Sequence, residues 1–538
     1  SNTKNKLNNA YKGEKTHSLK GLFSLSSSKT IDIIIPIYRG YKDVRDCLES
    51  VLKYQQKQKF NIIIIDDACP DVKIKKYLKF IVSQNQNITI LENKTNLGFV
   101  ASVNMGMVLH NDNDVVLLNS DTIVSNNWLD RMHQCIYRSK TIGTVTPFSN
   151  NATICSFPIF CKNNDLSLRW TPHEIDQTFS KINHNVESVE IPTAVGFCMY
   201  IKRECIKDVG LFDVKNFGRG YGEENDFCMR AIKKGWRHEL CANTFVYHTG
   251  GVSFNIEKKE RIALAMETMN KLHFDYHKRV HEHIMQNPAS SLRVNVMIHL
   301  IRKSSRPVIL FISHNMGGGT EKHIEELVFI NKTRMDAIII RPGDNGQIIL
   351  SLGAEIESES LYFFLPDEYA ELVKFCKYLQ VTRIHFHHIL DLEPSLWGLY
   401  KDLDILFDIT FHDYYFINAN PKLINADMKF CANRETRDSL CVEAYPIPGG
   451  VTPDVWRRNQ TLLLKNANRI FAPSQYMANL MQSYFPYIKP TITYHSDWEQ
   501  DAPYPDIAPV KISSNEPMKI LVLGALSQEF IKMNAYQK

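Results

Sequence analysis

No stretch of the chain holds the ~18–20 successive apolar residues that a helix needs to cross a bilayer. Nothing near the start resembles a secretory apolar segment either; Ser1-Asn2-Thr3 opens without Met and reads as the remnant of a cleaved tag. Paired cysteines are also missing. All 12 cysteines stand singly with no CxxC, so reduced thiols are expected rather than a disulfide framework or a zinc site. Excess charge is scarce: 63 Lys and Arg face 58 Asp and Glu, for a formal +5. With no basic patch interleaved with aromatics, nucleic acid is excluded as an expected partner. Internal repeats are lacking as well. With 44% hydrophobic and 22% charged residues, the composition excludes extended disorder.

What remains is a folded chain of 538 residues, too long for one hydrophobic core. Residues 1–30 read as a polar lead-in. From Ile31 short β-rich runs alternate with helical patterns: strands at Ile31–Ile37, Asn61–Ile65, Ile88–Glu92 and Asp114–Leu118, helices at Asp43–Tyr54, Val72–Ser83 and Phe99–His110. This is the pattern of a mostly parallel sheet covered by helices, an α/β fold over 31–255. A charged helical segment, 256–306, reads as a linker, with His273, His277, His281 and His283 on a solvated face. A second α/β unit spans 307–515, with strands at Val308–Ile312, Ala337–Ile340, Arg383–Phe386, Ile405–Ile409, Ala467–Phe471 and Thr491–Tyr494. Met518–Leu523 opens a further strand, so 516–538 reads as the start of a truncated third unit.

Polar clusters follow the predicted strands, where sheets of this kind bind ligands. Pro36 and Tyr38 follow the first, and Tyr38 offers a ring for stacking on a base. Asp66 and Asp67 follow the second; a carboxylate there can accept a pyrimidine imide N–H, or can simply cap the next helix. Asn96, Gly98 and Asn104 surround a helix start suited to a diphosphate. Ser120 and Asp121 follow the fourth strand, and one carboxylate there can hold Mg²⁺ or Mn²⁺ against two phosphates. Gly218–Asp226 carries Glu223, Glu224 and Asp226, acids able either to deprotonate a sugar hydroxyl or to complement a helix dipole. His248 can complete a metal shell or serve as a core histidine.

The stretches IIIPIY, IIIIDDACPD, NKTNLGFVASVN, VLLNSDT, TAVGFCMYIKRE, GLFD, GYGEENDFCMRA and VYHTGG resemble family 2 glycosyltransferases of the GT-A fold, particularly the bacterial O-antigen and capsule, rhamnosyltransferase-like branch. The resemblance implies an inverting transfer from a UDP- or dTDP-sugar to a growing, lipid-linked glycan. It also implies a divalent metal and a site at the cytoplasmic face of a bacterial inner membrane, with peripheral membrane association. By motif, Tyr38 corresponds to the base-stacking ring, Asp67 to the base-binding acid and Asp66 to its neighbour. Asp121 corresponds to the last acid of the DxD element, His248 to a further metal ligand and Glu224 to the base. Glu223 and Asp226 frame Glu224, and Trp236 is expected on the acceptor side. Two departures stand out: Asn119 replaces the first DxD acid, and Glu replaces Asp at the base position.

Residues 307–515 resemble the amino-terminal half of a family 4 GT-B glycosyltransferase, through FISHNMGGGTEKHIEEL, IHFHHI, ITFHDYYF and IFAPSQYMANLM. The Gly317–Gly319 loop suits a phosphate or sugar, or is a plain turn. The resemblance implies a bifunctional enzyme of polysaccharide synthesis whose second half is silent here, because its donor-binding portion would begin near Met518. The competing reading is a saccharide-binding scaffold that keeps the folds without the chemistry. A nucleotidyltransferase would need a Gly-rich basic loop after the first strand, which IPIYRG does not supply.

Overall fold

The computed structural model describes residues 29–166, 169–218, 220–250, 256–355 and 357–493, with backbone alone for 256–260. The expectations for the lead-in up to residue 28 and for 516–538 lie outside the described residues. The chain forms two compact units: Ser1–Lys303 with Glu357–Glu359, and Ser304–Ile356 with Ser360–Lys538.

In the first unit the strands are β1 (Ile31–Ile37), β2 (Phe60–Asp66), β3 (Ile88–Glu92), β4 (Asp114–Leu118), β5 (Thr122–Ile123), β6 (Ile142–Phe148), β7 (Val189–Ile191), β8 (Cys198–Ile201), β9 (Arg237–Phe245) and β10 (Tyr247–His248). The main sheet runs β3-β2-β1-β4-β8-β6-β9-β7, and β5 pairs separately with β10. β1 is parallel to both β2 and β4, while β8 runs antiparallel to β4 and β6. Runs of Ile and Val explain the central strands: Ile33–Ile35, Ile62–Ile65 and Val115–Leu118 are fully buried, as strands covered on both faces must be. Strand order reverses between β1 and β4, which opens a crevice beyond their carboxyl ends.

The first three helices fall close to expectation, at Tyr41–Lys53, Val72–Gln84 and Phe99–Met107. The third packs close against β1. A Cβ on Gly106 would lie 2.8 Å from Ile34 Cγ2, so this glycine serves helix–sheet packing rather than ligand approach. The segment expected to be a linker folds as three helices, Ile256–Leu272, Tyr276–Gln286 and Ser290–Lys303, and groups with the first unit. The last of these buries Leu292, Val294, Val296 and Ile298, so it is core and not a bare connector. His273, expected on a solvated face, is buried and hydrogen-bonded to Asp226.

The second unit contains β11 (Val308–Ile312), β12 (Asp336–Pro342), β13 (Gln347–Ser351), β14 (Ser360–Phe364), β15 (Val381–Phe386), β16 (Leu406–Thr410), β17 (Arg469–Ala472) and β18 (Thr491–Ile492). They form one sheet in the order β14-β13-β12-β11-β15-β16-β17-β18. It is parallel except where β13 pairs with β12 and β14. Here too the order reverses at the first strand, between β11 and β15. Both units are thus α/β with mostly parallel sheets, as expected. All 12 cysteines are free thiols, and all but Cys161 are buried. Among the described residues no helix is long and apolar enough to cross a membrane.

Candidate active site

At the β1/β4 crevice the expected residues fall into three groups: those meeting at one point, those holding loops, and one that lies elsewhere. Asp121 and His248 meet. β5 and β10 pair so that His248 stands opposite Thr122, and Thr249 N–H donates to the Asp121 carbonyl at 2.9 Å. This brings His248 Nε2 to 3.3 Å from Asp121 Oδ1, both side chains partly open to solvent. The imidazole is held from every side. Nδ1 donates to the Asn151 carbonyl at 2.8 Å. The His248 N–H donates to Asn150 Oδ1 at 2.8 Å, Asn150 Nδ2 returns a bond to the His248 carbonyl at 2.9 Å, and the ring stacks on Phe197. A carbonyl can only accept, so Nδ1 carries the hydrogen and Nε2 is the nitrogen turned toward Asp121.

That arrangement sets two electron-pair donors against each other, a carboxylate oxygen and a ring nitrogen. A cation, whether proton or metal ion, has to lie between them for the pair to be favourable. Burial works against ionisation of Asp121, yet the His248 hydrogen bond and charge, with backbone donors at Asp121 and Gly250, hold its carboxyl below the usual range. Gly250 packs so tightly on Asn151 that a Cβ would fall 1.8 Å from Asn151 Nδ2. The oxygen-plus-nitrogen donor set and fixed tautomer suit a divalent cation such as Mn²⁺.

Glu224 reaches the same edge by a different route. The helix Glu223–Lys233 starts after Gly218, Gly220, Tyr221 and Gly222, all at positive φ (50°, 126°, 77° and 93°). Tyr221 is the one non-glycine among them, so its backbone is strained there. The helix start docks on the Thr193–Gly196 loop: Thr193 Oγ1 donates to Asn225 Oδ1 at 2.8 Å, and Ala194 N–H points at Cys228 Sγ. A Cβ on Gly196 would lie 3.8 Å from Glu224 Cγ and Cδ. The next residue, Phe197, accepts from Asn119 N–H and stacks on His248, so adjacent residues of one loop touch Glu224 and His248.

The neighbouring acids differ sharply. Glu223 is 5% exposed, and its Oε2 has no hydrogen-bond partner among the described residues. Burial and then the adjacent Glu224 charge push its carboxyl well above the usual range. Burial also raises Glu224, but backbone donors at Glu224 and Gly222 oppose it. Asp226 is buried between Arg230 Nε and His273 Nε2, each at 2.8 Å, an arrangement that anchors the helix and engages both carboxylate oxygens.

Several expected donor-binding residues hold loops. Asp67 accepts from Asn93 Nδ2 (2.8 Å), Leu97 N–H (2.7 Å) and Gly98 N–H (2.9 Å), fixing the turn that starts the Phe99–Met107 helix. Gly98 sits at φ 85° in that turn, and Asn96 precedes it, half-buried. Asp66 Oδ1 accepts from Cys69 N–H at 2.7 Å. Neither acid caps the following helix; Asp71 does so through Lys73 N–H. Asn104 commits both ends of its amide to the Phe212 backbone, at 2.9 and 3.1 Å, and is a clamp instead of a ligand. Pro36 lies in β1 and Ser120 is half-buried beside Asp121, while Tyr38 is 40% exposed with the Arg39 guanidinium 5.0 Å from its ring centre. Trp236 is not at this site. It precedes Arg237, which pairs with Ile142 at the opposite end of the sheet, and its indole donates to Asp208.

Asn150, Asn151 and Phe197 escaped the sequence reading. Ser149-Asn150-Asn151 follows the fully buried β6, the same strand-end position that Asp66 and Asp121 occupy, but the sequence of β6 does not itself read as a strand.

Residues 32–210 match the family Glycosyl transferase family 2. The match takes in Tyr38, Asp67 and Asp121 and stops short of Glu224 and His248, which the fold brings to the same edge. The chain is also similar to glycosyltransferase GlyG of Streptococcus pneumoniae, 28% identical over 107 residues, covering 20% of this chain and 35% of the relative. An uncharacterized glycosyltransferase of Haemophilus influenzae is 24% identical over 102 residues, covering 19% and 31%. The chain thus spans about a third of the length of the curated relatives it matches. GalNAc-T7, solved with UDP, GalNAc and Mn²⁺, aligns over 48% of this chain and 51% of its own at 16% identity, with a TM-score of 0.38.

Proposed function

We propose that residues 31–255 form a GT-A glycosyltransferase domain that transfers a sugar, with inversion, from a pyrimidine nucleotide-sugar (UDP- or dTDP-linked) to a saccharide hydroxyl. The observation that carries this reading is the Asp121–His248 pair at 3.3 Å, where a carboxylate and an oriented imidazole nitrogen converge. Asp121 and His248 hold the divalent cation, Mn²⁺ or Mg²⁺. When bound, the ion neutralises charge on the departing nucleoside diphosphate. Glu224 takes the proton of the attacking hydroxyl as the oxygen–carbon bond forms and the glycosyl–phosphate bond breaks. The raised carboxyl of the buried Glu223 favours its neutral form and so limits a second negative charge next to Glu224. Tyr38 stacks on the base, and Asp67 acts by holding the 96–98 turn around the donor.

The acceptor in this reading is a growing, lipid-linked glycan of a bacterial surface polysaccharide, met at the cytoplasmic face of the inner membrane. The second unit is then the amino-terminal half of a GT-B transferase in a bifunctional chain. The test is to incubate the full chain with a panel of nucleotide-sugars, Mn²⁺ and short saccharide acceptors, and to measure released nucleoside diphosphate. Turnover of a UDP- or dTDP-sugar that stops with EDTA is expected. Turnover that persists in excess EDTA, or a preference for purine donors, overturns the respective part.

A further inference from the structure

The second unit gathers histidines where the first gathers acids. His387 follows β15, His412 lies two residues beyond β16, and His323 sits on the helix Gly319–Ile330 that follows β11. One ring nitrogen from each lies within 4.8 Å of the other two, the one such group of three among the described residues. His387 Nδ1 and His412 Nε2 are 2.9 Å apart, a single hydrogen shared between two nitrogens. The rings of His323 and His412 are 5.3 Å apart by centroid, and those of His323 and His387 5.6 Å. Neighbouring histidines are engaged elsewhere: His385 Nε2 with Thr410 Oγ1 at 2.8 Å, and His388 Nε2 with Asp413 Oδ2 at 3.0 Å. All of this stands at the β11/β15 reversal of strand order, the crevice end of the sheet.

We propose that His323, His387 and His412 form a site for one divalent transition-metal ion of the zinc class, with three imidazole ligands and an open fourth position. The ligand chemistry argues for this class: three nitrogens and no carboxylate suit Zn²⁺, Co²⁺ or Ni²⁺ and not Mg²⁺ or Ca²⁺. The geometry is close. Zinc–nitrogen bonds of about 2.0–2.1 Å put tetrahedral nitrogens about 3.3 Å apart. His387 and His412 need to open by a few tenths of an ångström as the ion replaces their shared hydrogen. The half-buried His323 closes the remaining gap from its helix. Gly317, Gly318 and Gly319, just before His323 in the chain, have no atom within 4 Å of where a Cβ would stand, so the loop leading to the cluster is uncrowded. The proposal is independent of the reading of the first unit.

The test uses the full chain carrying Asp121→Ala and His248→Ala, so that the first unit's candidate ligands do not contribute. After dialysis against a chelator, Zn²⁺ is titrated in competition with a chromophoric chelator, and Co²⁺ is titrated by visible absorption. One equivalent of Zn²⁺ and the intense d–d bands of four-coordinate Co²⁺ are expected. Adding His323→Ala or His412→Ala, both at half-buried positions, should weaken Zn²⁺ binding by at least about 100-fold. Circular dichroism and an unchanged metal-free Tm serve as the check on folding. Absence of micromolar Zn²⁺ binding in the background chain overturns the site irrespective of how the variants fold. So does binding that survives both substitutions. A Tm raised by inorganic phosphate and not by Zn²⁺ also overturns it, and assigns the histidines to an anion.

Discussion

The two units build the same crevice and furnish it differently. In each, a parallel sheet reverses its order at the first strand, β1/β4 in one and β11/β15 in the other. The first furnishes that point with Asp121, Glu224 and a single oriented histidine; the second with His323, His387 and His412. Sheet order fixes where a ligand goes, and the few residues just past the strands fix which ligand it is. Oxygen donors with one nitrogen suit a hard cation carrying phosphates. Three nitrogens suit a softer ion.

The sharpest break in the comparison is Asp121→Ala. If the first crevice works through a cation on phosphate, turnover of the nucleotide-sugar should fall by about 10³-fold or more, with Mn²⁺ no longer enhancing nucleotide binding by calorimetry. Mn²⁺-dependent binding at wild-type strength would move the metal elsewhere. Glu224→Gln should cost about 10²–10⁴-fold in kcat with donor affinity nearly kept. Because burial raises Glu224, wild-type kcat/KM should fall as pH drops through that raised pKa and level off above it. The variant should lack this limb, and a retained limb would assign the base role to another group.

Asn150→Ala tests the support of His248 and not the chemistry. Losing the two bonds that frame His248 should weaken Mn²⁺ affinity by about 10–100-fold, with kcat recovering at saturating metal. A kcat that stays low at saturation would point to a wider collapse. The smallest effect is on stability. Glu223 binds its proton more tightly folded than unfolded, so its contribution is fully present below the unfolded pKa of about 4.3. That contribution is lost as pH rises through the raised folded pKa. Glu223→Gln removes the loss, so Tm should rise by a few degrees at neutral pH and not at pH 4. A gain of equal size at both pH values would indicate packing and not ionisation.

Legibility followed the range of the interactions. β1, β3, β4 and β11 were readable to the residue because short runs rich in Ile, Val and Leu favour strands, even in β3, an edge strand that buries only Ile88. β6 was not, although it is fully buried between β8 and β9. Its sequence IGTVTPF carries Pro147, which ordinarily argues against a central strand, and here it stands at a register shift. The antiparallel β13 and β14 were missed for want of a strong hairpin signal. Strand-end position alone misjudged Asn104, since a polar residue near a crevice looks the same whether it meets a ligand or the Phe212 backbone. Trp236 was misplaced because its strand's direction was unknown.

Composition and local pattern by themselves determined the α/β class, the free thiols and the presence of Asp121, Glu224 and His248 at element ends. These are properties of neighbours in the chain, governed by period and propensity. Only the tertiary structure decided that β5 pairs with β10, so that Asp121 faces His248, and that Glu223 is buried while Glu224 is half-buried. It alone separated the buried His273–Asp226 anchor from a solvated helix face, and drew His323, His387 and His412 together from three elements. The reason is physical: such pairs are set by sheet order, register and burial, which depend on how distant segments close on one another, and no local run of residues encodes that closure.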